Sequence, residues 1–356
     1  SECLAPDEAT IDTCPLMSTS ASQFAIVVPV YNVIQYLPEF LDSLDKQTSK
    51  AFFVIAVDDG STDRGGLVLD RFSAAHPWLT VVHLPNAGVS AARNRGLDIV
   101  SQVKGVKYLS FVDPDDVLDP EYVASFTESL ERTGADLALC PYTDFDRKKE
   151  TPKVPNLKEI RLDQDGIGAV FFGYEATKAE APYSSRGLPV KCFRYDKIRD
   201  YRFDARLGIA EDQEYFIRIL PGLKTAVTVP QYLYRRRLRK SSITHSLRND
   251  SAGLPFLRRF LERPDGLPPA AVRGIERTLV GMWWAAVRFG YGRGDSKALL
   301  EADVYYSWIR KYKFSSPLPA QDKKRILFYA LGRYILTPYL RFRERDKPRK
   351  TKDLFD

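Results

Sequence analysis

Two short acidic segments follow apolar runs in the first third of the chain, FVDPDDVLDP at 111–120 and DDGSTD at 58–63. Carboxylates this close repel one another unless a cation or solvent separates them. Asp113 and Asp115 stand two residues apart, which suits Mg²⁺ or Mn²⁺ that is also held by substrate phosphates. The alternative is a solvated acidic turn before a helix, with Asp119 as the helix cap.

Further polar groups follow other apolar runs. PVYN, at 29–32, places Tyr31 where its ring could stack on a base, and Asp59 could accept hydrogen bonds from a base or ribose. In NAGVSAARNRG, at 86–96, small residues precede a predicted helix whose first backbone amides favour an anion. Arg93, one turn further on, could reach a phosphate or a sugar hydroxyl. Thr62 and Asp63, in the same segment as Asp59, could have a purely structural role as caps of the next helix.

Two later segments could also contribute to a reaction. Glu211 and Asp212 open a predicted amphipathic helix in AEDQEYFIRIL, either as a general base or as acidic residues that favour a helix start. TAVTVPQYLYRRR, at 225–237, is strand-like and leads into a basic segment. That segment, YRRRLRKSSITHS at 234–246, is cationic and hydroxyl-rich and contains His245. It could close over a diphosphate or form a basic surface loop.

The elements that must position these residues alternate along the first half of the chain. Apolar strands are predicted at 24–30, 51–57, 79–84 and 106–112, with amphipathic helices between them. This alternation predicts an α/β fold with a mostly parallel sheet covered on both faces. Ligands of such sheets bind beyond the carboxyl ends of the strands, so both acidic segments are expected on the same edge.

Composition sets broader limits. The 356 residues are 44% hydrophobic and 28% charged, which suits one large domain or two of ordinary size. The four cysteines include no CxxC pair and no zinc-ligand spacing, so a reducing, cytoplasmic compartment is expected. No apolar run reaches the ~18 to 20 residues needed to span a bilayer. The net charge of +7 favours an acidic partner.

Most of this positive charge lies at 321–356, where eleven Lys/Arg face five Asp/Glu. Aromatic and aliphatic residues are interspersed among them. Such a segment suits peripheral contact with an anionic membrane surface. The alternative is a helix that packs on the domain and ends in a solvated basic tail.

The sequence lacks the signatures of dinucleotide sites, of nucleoside-triphosphate sites and of α/β-hydrolase active sites. There is no GxGxxG after a strand, no GxxxxGK[ST] and no GxSxG. In chain order, PVYN, DDGSTD, NAGVSAARN, DPDD, ED and SSITHS resemble the family 2 inverting glycosyltransferases. The resemblance covers about residues 24–246 and does not clearly extend to 249–356.

The resemblance implies a GT-A nucleotide-diphospho-sugar transferase fold followed by a C-terminal helical region. It divides the chain into a flexible leader at 1–22, a catalytic domain at 23–248 and a basic helical region at 249–356. It implies a UDP-sugar donor, Mn²⁺ or Mg²⁺, and a saccharide or lipid-linked acceptor in bacterial cell-surface polysaccharide synthesis. No nucleic acid partner is expected, since the basic segments lack a nucleic-acid-binding context.

The resemblance also implies roles for individual residues. Pro29, Tyr31, Asn32 and Asp59 would hold the uridine, and Asn86 and Arg93 would contact the nucleotide-sugar. Asp113 and Asp115 would form the metal pair with Asp115 as the direct ligand, and Asp116 is expected to face the donor sugar or the acceptor. Asp212 would be the catalytic base beside Glu211, and Ser242 and His245 would close on the diphosphate.

Two alternative functions stay open at this point. A polyprenyl-phosphate sugar synthase would use an acceptor that is already ionised, so it would need no base, and the Glu211–Asp212 pair argues mildly against it. A catalytically inactive nucleotide-sugar-binding protein is disfavoured by the intact set of acidic residues.

Overall fold

The computed structural model describes residues 23–146, 149–207, 210–239, 254–293, 296–310 and 320–330. Two compact units divide the chain. The first contains the described residues up to Leu162, together with Gly187–Ala205 and Gly222–Arg237. The second contains Asp163–Arg186, Arg206–Pro221 and the described residues from Leu238 onward. The two units thus interleave along the sequence, and the predicted boundaries at 22 and 248 stay predictions.

The described strands form a large sheet and a small one. In chain order they are β1 (Phe24–Val30), β2 (Phe52–Asp58), β3 (Leu79–His83), β4 (Tyr108–Phe111), β5 (Val117–Leu118), β6 (Leu137–Leu139), β7 (Tyr142–Phe145), β8 (Arg161–Asp163), β9 (Lys191–Arg194), β10 (Thr225–Thr228) and β11 (Tyr234–Arg237). The large sheet has the order β3-β2-β1-β4-β9-β6-β10-β8. Strand β9 runs antiparallel to β4 and β6, while β1, β2, β3 and β4 run parallel. The predicted mostly parallel sheet is confirmed.

The described helices of the first unit are α1 (Leu37–Asp45), α2 (Gly65–Ser73), α3 (Val89–Val100) and α4 (Tyr122–Thr133). Helix α1 buries Leu37, Phe40, Leu41 and Leu44, the apolar stripe that its spacing predicts. Helix α3 lies close to β1, because a Cβ on Gly96 would come within 2.5 Å of a Val27 methyl carbon. The helix that carries Arg93 is therefore seated directly on the central strand.

The cap predicted for α4 is wrong. Helix α4 has Glu121 as its N-cap residue, with no side-chain cap bond. The Asp119 carboxylate accepts instead from the Glu121 backbone N–H at 3.0 Å. Asp119 therefore stabilises the turn that precedes the helix.

The small sheet has the order β5-β11-β7. Strand β11 pairs antiparallel with β5 and parallel with β7. Because β5 begins directly after the acidic residues 113–116, this sheet places β11 beside that turn.

The described helices of the second unit are α5 (Gln164–Phe172), α6 (Glu211–Ile219), α7 (Leu254–Glu262), α8 (Pro269–Arg293), α9 (Ser296–Ile309) and α10 (Ala320–Ala330). Trp283 of α8 is fully buried and contacts Tyr306 of α9 and Tyr329 of α10. These aromatic contacts join the three helices. Among the described residues, no helix combines the length and apolar character needed to cross a bilayer.

Candidate functional site

Three of the predicted site segments follow strands that are neighbours in the large sheet. Val30 at the end of β1 lies opposite Asp58 at the end of β2, and Val27 lies opposite Phe111 at the end of β4. Since these strands run parallel, their carboxyl ends lie at one edge. Segments 29–32, 58–63 and 113–116 therefore share this edge, as their positions after strands predict.

At the first acidic turn, residues 58–63, the Asp59 carboxylate binds the loop before α3. It is 3% exposed, and its two oxygens accept from the backbone N–H groups of Ala87 and Gly88, each at 2.8 Å. The Asn86 side-chain amide donates in turn to the Asp59 carbonyl oxygen at 3.0 Å. Two residues expected to contact the donor thus fix the loop to the turn.

The other carboxylates of this turn also accept from backbone amides. Asp58 accepts from Ser61 N–H at 3.0 Å. Asp63 accepts from Ile34 N–H at 2.8 Å and from Gly65 N–H, at the start of α2, at 2.9 Å. The first acidic turn is therefore held by its own carboxylates.

The end of β1 is joined to this turn by Asn32. Its backbone is left-handed, with φ 51°, and its side-chain oxygen accepts from Thr62 N–H at 2.8 Å. Pro29 is buried within β1, while the Tyr31 side chain is 49% exposed. Tyr31 thus offers an aromatic ring at the same edge.

At the second acidic turn, residues 113–116, Asp113 faces a buried arginine. The Asp113 carboxylate lies 3.4 Å from the Arg93 guanidinium, and its side chain keeps 39% of its surface exposed. The Arg93 guanidinium carbon lies 5.3 Å from the centre of the Phe203 ring. Helix α3 thus places the positive guanidinium of Arg93 beside the acidic turn, and the Phe203 ring packs against that guanidinium.

The other two carboxylates of this turn are buried, Asp115 at 7% and Asp116 at 3% exposure. Asp116 accepts from the Tyr234 hydroxyl at 2.6 Å and from Arg237 N–H at 2.7 Å. Burial, reinforced by the charges of Asp115 and Asp113, raises the pKa of Asp116 well above its usual range. Both carboxylate oxygens of Asp116 thus have partners within the protein. The contact with the donor sugar or the acceptor that is expected of Asp116 stays a prediction.

The carboxylates of this turn could supply some of the ligands of a hard divalent cation. Asp113 and Asp115 offer carboxylate oxygens, the ligands that Mg²⁺ and Mn²⁺ take. Within the described part of the chain, no group of three or more His, Cys, Asp or Glu side chains is arranged to hold a metal. The turn therefore suits a cation whose remaining ligands come from water and a bound phosphate.

Residues 25–178 match the family described as Glycosyl transferase family 2. The chain contains a family 2 glycosyltransferase domain. It is similar to Glycosyltransferase GlyA of Streptococcus pneumoniae serotype 4, with 37% identity over 227 residues, 62% of this chain and 31% of GlyA. It is also similar to the Minor teichoic acid biosynthesis protein GgaA of Bacillus subtilis, with 24% identity over 62% of this chain and 48% of GgaA. The chain thus spans about a third of one relative and about half of the other.

Among solved structures, S. aureus TarS 1–349 in complex with UDP-GlcNAc has a TM-score of 0.60 and 18% identity, over 83% of this chain and 82% of that one. At this identity the likeness concerns the fold alone. It agrees with the GT-A fold expected of the family 2 domain.

Within the basic segment 234–246, residues 234–237 form strand β11, as the strand-like run at 225–237 predicts. Its three arginines each pair with a carboxylate: Arg235 with Glu150 at 3.3 Å, Arg236 with Asp144 at 2.6 Å and Arg237 with Glu39 at 2.5 Å. These pairs balance the charge of this part of the segment within the protein. Ser242 and His245 lie outside the described residues.

The predicted base lies in the second unit, at the start of α6. Ala210, with φ 63°, precedes the helix, and Glu211 and Asp212 are its first two residues, both partly exposed. Glu214 is buried and accepts from Arg218 at 2.7 and 2.8 Å. This ion pair stabilises the first turn of α6, so Glu211 and Asp212 stand on a well-anchored helix end.

Sequence reasoning missed three residues that contact the predicted site residues. Tyr234 and Arg237 lie where the strand-like run enters the basic segment, and no local pattern indicates their bonds to the 113–116 turn. Phe203 has no local signal, because its position beside Arg93 depends on contacts between distant segments. Its backbone N–H and C=O bond the Asn94 side chain at 2.7 and 2.9 Å.

Proposed function

We propose that the protein is an inverting glycosyltransferase that transfers a sugar from a UDP-sugar to a hydroxyl of a saccharide or glycolipid acceptor in bacterial cell-surface polysaccharide synthesis. The observation that carries the proposal is the shared sheet edge, where an exposed aromatic ring, Arg93 and the pair Asp113 and Asp115 lie within a family 2 domain. The names of GlyA and GgaA, and the UDP-GlcNAc bound by TarS, support the choice of reaction, pathway and donor.

The uridine would be held by the end of β1 and the first acidic turn. Tyr31 would stack on the base, with Pro29 and Asn32 shaping the end of the strand beneath it. A carboxylate oxygen that accepts one hydrogen bond keeps a second lone pair, so Asp59 can still accept from the base or ribose. Asn86 and Arg93 would contact the nucleotide-sugar from the loop and helix α3.

The diphosphate would lie at the second acidic turn. Asp115 is the proposed direct ligand of Mn²⁺ or Mg²⁺, with Asp113 as its partner. A divalent cation bound there would neutralise charge that develops on the departing diphosphate. Arg93 would add a fixed positive charge on the same side, and Ser242 and His245 are proposed to close on the diphosphate.

Asp212 is the proposed general base, with Glu211 beside it. It would take the proton from the acceptor hydroxyl as that oxygen attacks the anomeric carbon from the side opposite the diphosphate, which inverts the configuration. Replacing Asp212 by Asn should lower the transfer rate by about 10²- to 10⁴-fold while UDP affinity stays within about twofold. Wild-type transfer by Asp212→Asn would refute the assignment.

The donor and acceptor are identified together by a product screen. The full chain is incubated with Mn²⁺ and a panel of UDP-sugars, and UDP release is measured with saccharide acceptors and with polyprenyl phosphate. UDP release that requires Mn²⁺ and a saccharide acceptor supports the proposal. Transfer to polyprenyl phosphate alone, or no turnover of any UDP-sugar, would contradict it.

Peripheral membrane contact through 321–356 is part of the proposal for a lipid-linked acceptor. Of this segment, 321–330 lie in α10, where Ile326 is buried and Leu327 is 41% exposed. Vesicles that contain anionic lipid should float the full chain but not a chain that ends at residue 320. Equal flotation of both forms would exclude this role. A cytoplasmic location of the protein is part of the same proposal.

A further inference from the structure

Strand β11 binds the buried side of the second acidic turn through Tyr234. The buried Tyr234 hydroxyl donates to the Asp116 carboxylate at 2.6 Å and lies 3.4 Å from the Asp113 backbone N–H. The other Asp116 oxygen accepts from the Arg237 backbone N–H at 2.7 Å. Both oxygens of one carboxylate are thus bonded to the strand, on the side of the turn that is buried.

Arg237 binds the same turn through its side chain. Its Nε–H donates to the Asp115 carbonyl oxygen at 2.8 Å, and another nitrogen of its guanidinium pairs with Glu39 of α1 at 2.5 Å. The guanidinium also lies over the Tyr36 ring at 5.2 Å. A bond to a carbonyl constrains the backbone of the residue that is expected to bind the cation, so Arg237 links that residue to α1.

These bonds oppose the repulsion within the turn. Three carboxylates in four residues would lower their energy by moving apart, and an unconstrained turn would relax in that direction when no cation is bound. Tyr234 and Arg237 hold Asp116 and the Asp115 backbone against this relaxation. The cation would then meet ligands that are already oriented.

We propose that Tyr234 and Arg237 are positioning residues that set the affinity of the 113–116 turn for a divalent cation by fixing the orientation of Asp113 and Asp115. The inference rests on the proposed function, in which these two aspartates bind the cation. Neither residue is assigned a contact with the substrate. Asp116 then contributes to donor binding through the position of the turn.

Arg235 supplies a matched control on the same strand. Its guanidinium carbon lies 4.4 Å from the Phe145 ring centre, as does that of Arg237, and it too pairs with a glutamate, Glu150, at 3.3 Å. Arg235→Lys and Arg237→Lys therefore lose similar stacking and ion-pair geometry. Arg237→Lys loses in addition the guanidinium bond to the Asp115 carbonyl and the contact with the Tyr36 ring.

The test measures Mn²⁺ affinity in the presence of UDP for full-length wild type, Tyr234→Phe, Arg237→Lys and Arg235→Lys, together with thermal unfolding in EDTA. We expect the Kd for Mn²⁺ to rise about tenfold in Tyr234→Phe and Arg237→Lys and to stay within about twofold in Arg235→Lys. Transfer by the first two should recover as Mn²⁺ is raised. A purely structural role predicts equal Kd values for Arg237→Lys and Arg235→Lys, and that result would overturn the inference.

The remaining outcomes separate the two proposals. If wild type binds Mn²⁺ with UDP and the positioning variants bind it equally well, the positioning role fails and the proposed function stands. If wild type binds no Mn²⁺, both fail. Should Tyr234→Phe not fold, Glu39→Gln replaces it, since Glu39 is half exposed. It should raise the Kd by about threefold through loss of a charge-assisted bond to Arg237, and an unchanged Kd would count against the inference.

Discussion

The two acidic turns at the sheet edge are similar in composition and opposite in use. In residues 58–63, the Asp59 and Asp63 carboxylates accept from backbone N–H groups of nearby segments, and Asp58 accepts from Ser61 N–H within the turn. In residues 113–116, the Asp116 carboxylate is held in this way, whereas Asp113 stays partly exposed beside Arg93. The first turn uses its carboxylates to hold loops together, and the second is the turn for which we propose a bound cation.

Carboxylate density therefore does not by itself identify a metal site. What distinguishes the turns is the supply of donors around each one. Backbone amides from the loop at 86–88 and from the start of α2 meet the first turn. At the second turn, hydrogen-bond donors of β11 meet Asp116 and the Asp115 carbonyl. Asp113 lies beside Arg93 and stays partly exposed at the edge.

The largest expected effect comes from exchanging one carboxylate in each turn. Asp115→Asn should lower sugar transfer by about 10²-fold or more, because the proposed cation loses a charged ligand where charge develops on the leaving diphosphate. Asp58→Asn should keep most of the activity and its dependence on Mn²⁺. Initial rates over a Mn²⁺ titration measure both, and similar losses in the two variants would remove the distinction between the turns.

A smaller effect is expected for Asp59→Asn, which tests the structural role of the first turn. The amide that replaces the carboxylate can accept from one of the Ala87 and Gly88 N–H groups but presents its own N–H₂ to the other. The free energy of unfolding should fall by about 1 to 3 kcal/mol, the cost of a buried unsatisfied group. Urea titration measures it, and an unchanged midpoint would show that these two bonds contribute little.

The smallest effect concerns His83, which bonds Asp58 at 2.9 Å and Asp70 at 2.9 Å. Partial burial lowers the pKa of His83, but its hydrogen bonds to the two aspartates and their charges outweigh this, and the net pKa is raised. Stabilisation by His83 is therefore present at low pH and lost as the pH rises through the folded-state pKa. Because His83 is half exposed, the contribution should stay below about 1 kcal/mol.

The measurement compares urea unfolding of wild type and His83→Gln at pH 5.5 and pH 8.5. The variant should be the less stable of the two at the lower pH and nearly equal to wild type at the higher pH. A stability difference that grows with pH would contradict the sign of this shift.

Much of the first unit could be predicted because its signals are local. Strand β1 matches the predicted 24–30 run, and all seven of its residues are buried, which a continuous apolar segment requires. The four leucine and phenylalanine side chains of α1 follow helical spacing. The shared edge also followed, since parallel strands place their carboxyl ends together.

Other parts could not be predicted because distant segments determine them. Strand β9 inserts antiparallel between β4 and β6, a pairing that no local pattern encodes. Asp115 and Asp116 are adjacent and chemically identical, and their sequence does not indicate that the Asp116 carboxylate is the one that accepts from Tyr234, 118 residues later. Phe203 contacts Arg93 for a similar reason.

The central claim, that the second acidic turn binds a divalent cation together with a nucleoside diphosphate, is tested most directly by titrating UDP into the wild-type protein by calorimetry, once with Mn²⁺ and once with EDTA. We predict that UDP binds at least about tenfold more tightly with Mn²⁺, since Asp113 and Asp115 would hold a cation that offsets the charge of the diphosphate. Equal UDP affinity in Mn²⁺ and in EDTA would contradict it.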